Sequence, residues 1–391
     1  MLLGDSHNFG RQVEMRQRRI FKPRPLLWEW LLLSGRSPLR RFLEAEGSDA
    51  LGPHPFGFLP RLNFYSPRRL HREGEVERLK LAPLPSLDAK ERRELAGLVG
   101  RAVALWSWLG LSDLHWENLA LGIDARSQLI FAPLDIESIL SDLTLPTQTK
   151  LLPDSDPDYA AICRHACGLR RVLPYLGKPV GPTELLAMAD DYRLTLLFLQ
   201  QRAQAIGRLI ASAPRMRETP IRVCLRGTAD YVLADQGRVR APFLAAELEQ
   251  LARGDIPYFF RLYGRAGLYY YRNRARTQFS RVDLGRGAMK ANPLLQLSRM
   301  RSPGRRSLAE QGLFVLLAAF DSEELSGHHR EGKVEIIWTK RQITVQLSDG
   351  LALQARRDLS SFVESIYLDC TCGEVRQPFV PKVTSCRSGG N

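Results

Sequence analysis

The chain has 391 residues, of which 44% are hydrophobic and 25% are charged, and this composition excludes a wholly disordered chain, a collagen-like chain and a coiled-coil rod. Lys and Arg number 56 against 42 Asp and Glu, which gives a formal net charge of +14. Such a balance predicts an acidic or phosphate-bearing partner.

The sequence also predicts where the protein resides. It contains no run of the roughly 18 apolar residues that a membrane span needs, and its first residues do not form a secretory signal. Six cysteines in a chain of this length do not form a disulfide scaffold. We therefore expect a cytoplasmic protein with no membrane partner.

The first predicted unit, residues 1–75, is small and begins with a Gly-containing loop. A strand hairpin is expected at 12–15 and 19–22, because prolines that cannot continue a ladder follow directly. Residues 26–42 carry leucines and tryptophans at helical spacing and predict one helix. The Gly- and Pro-rich stretch 47–71 predicts a connection.

The second predicted unit, 76–325, is mostly helical, and the third, 326–391, is rich in strands. Their expected elements are a helix at 86–108, a strand pair within 118–137, helices within 158–212, a strand at 221–225, a helix at 241–251 and strands at 334–339, 343–347 and 351–355. The Tyr- and Arg-rich run 269–276 is interpreted as a solvated basic helix, since no nucleic-acid fold motif accompanies it. Together these elements predict an α+β fold with a mostly helical larger lobe.

The most informative stretch is Asp113-x-His115-x-x-Asn118, followed by Asp135-x-Glu137. Phosphoryl transfer needs a carboxylate to orient the attacking hydroxyl and oxygen ligands for Mg²⁺. Asp113 suits the first role, and Asn118 and Asp135 suit the second. A hairpin between them would return Asp135 to Asn118, as in the catalytic and metal loops of kinases. The same residue types also form ordinary turns and caps, so the hypothesis depends on the whole set.

Further segments surround this motif in a fixed order. They are Gly4-Asp5-Ser-His7, Phe21-Lys22-Pro-Arg24, Arg222-Val-Cys-Leu-Arg-Gly-Thr228-Ala-Asp-Tyr231 and Gly254-Asp255-Ile-Pro257. The ordered set resembles the dehydratase domain of class II lanthipeptide synthetases over roughly residues 4 to 320. The resemblance implies a lipid-kinase-like, two-lobed fold that uses ATP and Mg²⁺ to phosphorylate Ser and Thr of a precursor peptide, and then eliminates the phosphate to leave dehydroamino acids.

The resemblance also implies a role for each matching residue. Lys22 would contact the phosphates of ATP, with Arg24 beside it in the same cofactor-binding segment. Asp113 would orient or deprotonate the substrate hydroxyl, and His115 would support its loop. The metal site would consist of Asn118 and Asp135, with Glu137 nearby, and the residues matching the elimination positions are Asp5, His7, Arg222 and Thr228.

The residue types suit elimination on chemical grounds as well. Arg binds a departing phosphate with its planar fork and stays charged. A His or an unprotonated Lys can remove the Cα proton, and the sequence leaves that choice open.

Each residue also has a plainer structural interpretation. Lys22 and Arg24 could belong to a solvated hairpin, and Arg222 could pair with a surface carboxylate. Thr228 could be a turn residue. For Asp255-Ile-Pro257 the structural interpretation is favoured, because proline ends a helix and the neighbouring aromatics can pack.

The sequence departs from the family in its flanking regions. Family members carry a few hundred residues before the Gly-Asp-x-His segment and a lanthionine cyclase after the dehydratase, so we expect a stand-alone dehydratase that works beside a separate cyclase or alone. The Cys and His groups at 163–167, 328–329 and 370–386 lack the spacing of zinc ligands.

Three functions remain open at this stage. The first is a dehydratase whose precursor peptide carries an acidic leader complementary to the basic chain. The second is a kinase that stops at phosphorylation of a peptide or small molecule, and the third is a catalytically degenerate domain that binds a peptide. Arg222 and Thr228 discriminate the first from the second, and nucleic acid is not an expected partner.

Overall fold

The structure is a computed structural model that shows a mixed α/β chain with several antiparallel sheets. The residues it describes are 2–65, 67–141, 149–152, 167–177, 180–226, 228–237, 243–283, 312–313, 316–317, 319–320, 326–339, 342–350, 352–356 and 384–385. No helix within these ranges is long and apolar enough to cross a lipid bilayer.

An antiparallel sheet and two helices form the first part of the chain. The sheet has the order β1 (Leu2–His7), β2 (Arg11–Met15), β3 (Arg19–Lys22), β5 (Gly74–Glu77) and β4 (Phe64–Tyr65), and the helices between β3 and β4 are α1 (Leu27–Leu33) and α2 (Pro38–Leu51). The predicted hairpin is confirmed, and the expected opening loop contains β1. The single helix expected at 26–42 is two helices, because Ser37 caps a new start and Pro38 occupies its first turn.

Two long helices form the centre of the molecule. The elements that follow β5 are α3 (Ala89–Trp108), β6 (Leu119–Ile123), β7 (Leu129–Pro133), α4 (Leu173–Leu176), α5 (Pro182–Gln201) and α6 (Ala203–Ala211). Asp88 and Glu91 cap the start of α3 reciprocally, so the helix begins near the predicted residue. Helices α3 and α5 pack so closely that a Cβ at Gly100 would lie 2.2 Å from the Met188 carbonyl oxygen.

A second antiparallel sheet corrects the interpretation of the Tyr- and Arg-rich run. The next elements are β8 (Pro220–Val223), α7 (Thr228–Asp235), α8 (Ala245–Leu251), β9 (Phe259–Leu262), β10 (Arg265–Tyr271) and β11 (Phe279–Arg281), with sheet order β11-β10-β9-β8. Tyr269 and Tyr271 pack with Phe260 on one face, while Tyr270 packs with Phe259 on the other. The predicted solvated helix is therefore wrong, because both faces of this strand are covered and favour consecutive aromatic residues.

The last part of the described chain is a third sheet. Its strands are β12 (Gly327–Glu331), β13 (Val334–Trp338), β14 (Gln342–Gln346), β15 (Ala352–Arg356) and β16 (Thr384–Ser385), paired antiparallel in that order. The three predicted strands are present, and β12 adds one that the sequence interpretation lacked. Trp338 is buried in the main hydrophobic cluster, to which α3 and α5 also contribute.

Candidate active site

The loop that carries Asp113 is fastened to the segment that follows β7. Helix α3 is followed by Gly110, whose φ of +65° and close approach to Ser141 leave no space for a Cβ, which would lie 2.4 Å from the Ser141 carbonyl oxygen. The Ser112 amide donates to the Ser138 carbonyl oxygen at 3.0 Å. The loop and the segment containing Asp135 and Glu137 are therefore neighbours.

Asp113 lies in a strained backbone conformation. Its φ is +67°, in the left-handed region that residues other than Gly adopt uncommonly, with Asn, Asp and His the most frequent among them. The Nζ atom of Lys150 lies 3.1 Å from Asp113 Oδ1. Burial alone would raise the pKa of Asp113, but the charges of Lys150, Arg222 and His115 outweigh it and hold that pKa below its usual value.

The hairpin of β6 and β7 returns the chain to Asn118. The Asn118 side-chain amide donates from Nδ2 to the Asp113 carbonyl oxygen at 2.9 Å, and the Leu134 amide donates to the Asn118 carbonyl oxygen at 2.8 Å. Asp135 follows Leu134 directly. The catalytic and metal-binding candidates of the central motif are thus held beside one another by backbone contacts.

A buried ionic cluster joins the end of β3 to this loop. Lys22 Nζ lies 2.9 and 3.1 Å from the two carboxylate oxygens of Glu29 in α1, and it donates to the Leu134 carbonyl oxygen at 2.5 Å. Arg24 pairs with Glu29 at 2.8 Å, with Glu137 at 2.9 Å, and also with Asp135. Lys22 and Arg24 are therefore part of the candidate site and do not lie on a solvated hairpin.

Glu29 is a site residue that the sequence interpretation missed. It is 1% exposed and holds both Lys22 and Arg24. A buried charge costs several kcal/mol unless it is paired and hydrogen-bonded. The buried Glu29 carboxylate and the two cations therefore stabilise one another. The available signal was a lone acidic residue within the otherwise apolar helix α1.

The pKa values of Asp135 and Glu137 are shifted in opposite directions. Burial raises the pKa of both carboxyls, but at Asp135 the charges of Arg24, Lys22 and Arg222 outweigh it and lower the pKa. At Glu137 burial prevails, with Asp135 adding to it, and the pKa is raised. Two close carboxyls that titrate together share a proton or a cation more readily than two separate ones do.

Arg222 in β8 approaches the same carboxyls from a third direction. Its backbone amide donates to the Glu137 carbonyl oxygen at 3.0 Å, and its Nη1 lies 3.5 Å from Glu137 Oε1. The guanidinium carbon lies 5.5 Å from the ring centroid of Tyr258. Arg222 therefore pairs with a carboxyl of the site, in place of the surface carboxylate considered above.

Other candidate residues occupy different surroundings. His115 is beside Glu117, with Nδ1 3.9 Å from Oε2, and its charge influences Asp113. Thr228 is exposed at the first residue of α7. Asp5 and His7 belong to β1, but their side chains lie outside what the structure describes.

The turn between β1 and β2 is fastened to the second sheet by Asp255. The Asp255 carboxylate accepts the backbone amides of Phe9 at 2.7 Å and Gly10 at 2.9 Å, and Arg253 Nε lies 2.7 Å from it. Burial raises the pKa of Asp255, but these amides and Arg253 outweigh it and lower the pKa. The two turn amides are engaged by a carboxylate of the same chain.

Two oxygen atoms of the predicted metal residues are candidate magnesium ligands, while one oxygen each of Asp135 and Glu137 pairs with Arg24. Oε2 of Glu137 is buried and receives no hydrogen bond from the described residues, and Asn118 uses Nδ2 for the loop, which leaves Oδ1 as an acceptor. Mg²⁺ prefers oxygen ligands, takes one or two carboxylates and completes its shell with water and phosphate oxygens. Across the described ranges, no three or more His, Cys, Asp or Glu side chains form a metal-binding group, and Cys163, His165, Cys370, Cys372 and Cys386 lie outside those ranges.

Comparison with known proteins does not extend these observations. A scan of the chain against protein-family models found no match, and a search of curated proteins found no similar sequence.

Proposed function

We propose that the chain phosphorylates Ser and Thr of a ribosomally made precursor peptide with ATP and Mg²⁺, and then eliminates the phosphate to leave dehydroalanine or dehydrobutyrine. The observation that carries the proposal is the assembly of distant motifs into one site: Lys22 and Arg24 meet Asp135 and Glu137, and Arg222 joins them. Three segments that are remote in the sequence thus bring their charged side chains together, which supports a shared functional site.

The pair of Lys22 and Glu29 supports a kinase-like fold. Protein kinases hold a strand lysine by a helix glutamate so that the lysine reaches the nucleotide phosphates. Here β3 supplies the lysine and α1 the glutamate, at 2.9 Å. We infer a two-lobed, lipid-kinase-like arrangement in which the first sheet covers the nucleotide and the helical part carries the catalytic loop.

In the phosphorylation step, each residue of the site has a distinct role. Asp113 accepts a hydrogen bond and then the proton from the substrate hydroxyl, whose oxygen bonds to the terminal phosphorus of ATP as the bond from that phosphorus to the bridging oxygen breaks and ADP leaves. Lys22 binds the nucleotide phosphates, and Asn118, Asp135 and Glu137 would hold Mg²⁺. When bound there, the metal would neutralise phosphate charge, which accounts for much of catalysis in phosphoryl transfer.

The elimination step leaves inorganic phosphate. A base of the site takes the Cα proton, the electron pair of that C–H bond forms the Cα–Cβ double bond, and the Cβ–O bond breaks with its electron pair leaving on the phosphate. Arg222 neutralises the departing group, since its guanidinium remains charged throughout.

A kinase that stops at the phosphorylated product is the second candidate. The exposed position of Thr228 at the start of α7 favours it, because no contact among the described charged residues of the site involves this threonine. Both candidates need Asp113, and they differ in the product that leaves the site.

Mass spectrometry of a Ser- and Thr-rich peptide encoded beside the gene, incubated with ATP and Mg²⁺, tests the proposal. We expect loss of water from the peptide with the unmodified protein, no change with Asp113→Asn, and phosphorylated peptide with Arg222→Ala. The matched control is Arg217→Ala, at an exposed arginine after α6, which should dehydrate normally. Phosphate gain without water loss would establish the kinase alternative, and no mass change would leave the peptide-binding one.

The same proposal covers the setting of the protein. We infer a cytoplasmic enzyme that meets an acidic leader peptide through its positive charge.

A further inference from the structure

Lys150 lies outside every motif of the sequence analysis, yet it is held beside Asp113 of the candidate site. The Leu114 amide donates to the Thr149 carbonyl oxygen at 2.9 Å, and the Gly168 amide donates to the Lys150 carbonyl oxygen at 3.1 Å. The φ of Lys150 is +64°, which is uncommon for a residue with a Cβ. Segment 149–152 therefore packs between the catalytic loop and residues 167–171.

The side chain of Lys150 occupies the open side of the site. Its Nζ lies 3.1 Å from Asp113 Oδ1, and the two side chains are 44% and 33% exposed. Lys22, by contrast, is 8% exposed and engaged with Glu29. A ligand that enters from solvent therefore meets Lys150 before it meets the buried lysine.

Arg222 brings a second positive charge to Asp113. Its guanidinium is near enough to act on the Asp113 carboxylate, and its contact with Glu137, at 3.5 Å, is longer than the 2.9 Å contact of Arg24 with that residue. Lys150 and Arg222 are thus two positively charged donors that act on Asp113, with Arg222 shared between Asp113 and Glu137. Lys binds phosphate as a point charge and Arg as a planar fork, so the two donors complement each other.

We propose that Lys150 and Arg222 together bind the phosphate of a phosphomonoester, namely the phosphorylated Ser or Thr side chain of a peptide whose esterified oxygen lies at Asp113. The identity of the ester rests on the function proposed above. Lys150 is the new member of the site: it retains the phosphorylated intermediate while the peptide remains in place.

Isothermal titration calorimetry on the full chain tests this site with a defined probe. The probe is N-acetyl-alanyl-O-phosphoseryl-alanine amide, and its comparison ligand is the same peptide with unmodified serine. We expect the protein to prefer the phosphopeptide by about tenfold or more, since hydrogen bonds to charged groups are stronger than those between neutral groups. Lys150→Met should reduce the preference about tenfold, and Lys150→Arg should keep most of it.

The control and the contrary outcomes separate this proposal from the function above. Lys333→Met, at an exposed lysine in the turn between β12 and β13, should keep the full preference. Equal affinity for the two peptides, or an unchanged preference in both Lys150→Met and Lys150→Gln, would overturn the phosphate site. Binding of ADP and Mg²⁺ is measured on the same samples: its absence contradicts the kinase function, while the phosphopeptide preference still decides the role of Lys150.

Discussion

The two sides of the candidate site are built differently. On the enclosed side, the exposed fractions of the Lys22, Arg24 and Glu29 side chains are 8%, 7% and 2%, and each charge has a partner. On the open side, Asp113 and Lys150 form one ion pair at 33% and 44% exposure. Charges of the first kind are expensive to leave unpaired, whereas those of the second are screened by water.

Under the function proposed above, this difference corresponds to separate roles for the two sides. An enclosed, fully paired cluster holds its side chains in one arrangement, which suits a ligand bound in the same way in every cycle, such as a nucleotide phosphate. An open pair can exchange partners with solvent and substrate at small cost, which suits a peptide that must enter, react and leave. Substitutions on the two sides should therefore have effects of different size and kind.

The largest expected effect is on the enclosed side. Glu29→Gln removes the carboxylate that both Lys22 and Arg24 contact, so we expect the free energy of unfolding to fall by ~3–5 kcal/mol. Urea denaturation measures it. Glu94→Gln is the matched control, because the exposed Glu94 lies 3.9 Å from Lys90 in α3, and it should change stability by less than ~1 kcal/mol. Equal effects of the two substitutions would contradict the contrast between the sides.

The fastening of the β1–β2 turn should give the next effect. Asp255→Ala leaves the Phe9 and Gly10 amides without their carboxylate acceptor, which should cost ~1–3 kcal/mol and speed amide hydrogen exchange in the amino-terminal peptide. Asp124→Ala removes a carboxylate that accepts two amides within the β6–β7 turn, so its exchange should change only there. Unaltered exchange at residues 8–10 in Asp255→Ala would show that the turn is held by other contacts.

Backbone strain at Asp113 should give a smaller effect on stability, and the order of the Gly and Ala variants reports that strain. Since φ is +67°, Asp113→Gly should be more stable than Asp113→Ala by ~1–2 kcal/mol, the usual cost of the left-handed conformation for an L residue. At Asp190, inside helix α5, the order of Gly and Ala should reverse by about 1 kcal/mol. Urea denaturation measures the free energy of unfolding of the four variants. A more stable Ala variant than Gly variant at both positions would contradict the strain at Asp113.

The smallest expected effect concerns pH on the open side. The pKa of Asp113 is lowered in the folded protein, so its stabilising contribution is present above the unfolded value of about 4 and is lost as pH falls through the folded pKa. Lys150→Met raises that folded pKa and should lower stability by ~0.2–1 kcal/mol near neutral pH.

Urea denaturation at several pH values measures this last effect. The difference between the unmodified chain and Lys150→Met should shrink as pH falls from about 4 through the lowered pKa of folded Asp113, because Asp113 is protonated in both states only below that folded pKa. A difference that grows as pH falls would show that Lys150 stabilises the fold by other means. Lys333→Met should match the unmodified chain throughout.

Local patterns in the sequence predicted much of the secondary structure. The hairpin before Pro23, the start of α3 at Asp88 and three strands of the last sheet follow from proline chemistry, capping and alternation, which act over a few residues. The arginines around Tyr269 predict a solvated helix, but the segment is a strand whose aromatic side chains are covered on both faces. Which faces are covered depends on strands and helices far away in the chain.

Some residues of the candidate site follow from local sequence patterns, and others are found only in the tertiary structure. Local spacing identified Asp113, Asn118 and Asp135, because oxygen ligands and a carboxylate at short intervals carry their own chemical meaning. Lys150 follows Asp113 by 37 residues without any motif around it, and only the packing of segment 149–152 brings it to 3.1 Å.

The amino-acid sequence by itself determined which side chains can bind phosphate and metal, because those capacities belong to the individual residues and their near neighbours. The tertiary structure alone decided that Glu29 supports Lys22 and Arg24 and that Asp255 holds the Phe9 turn. Pairing energies depend on distance and burial, and both are set by contacts between residues remote in the chain.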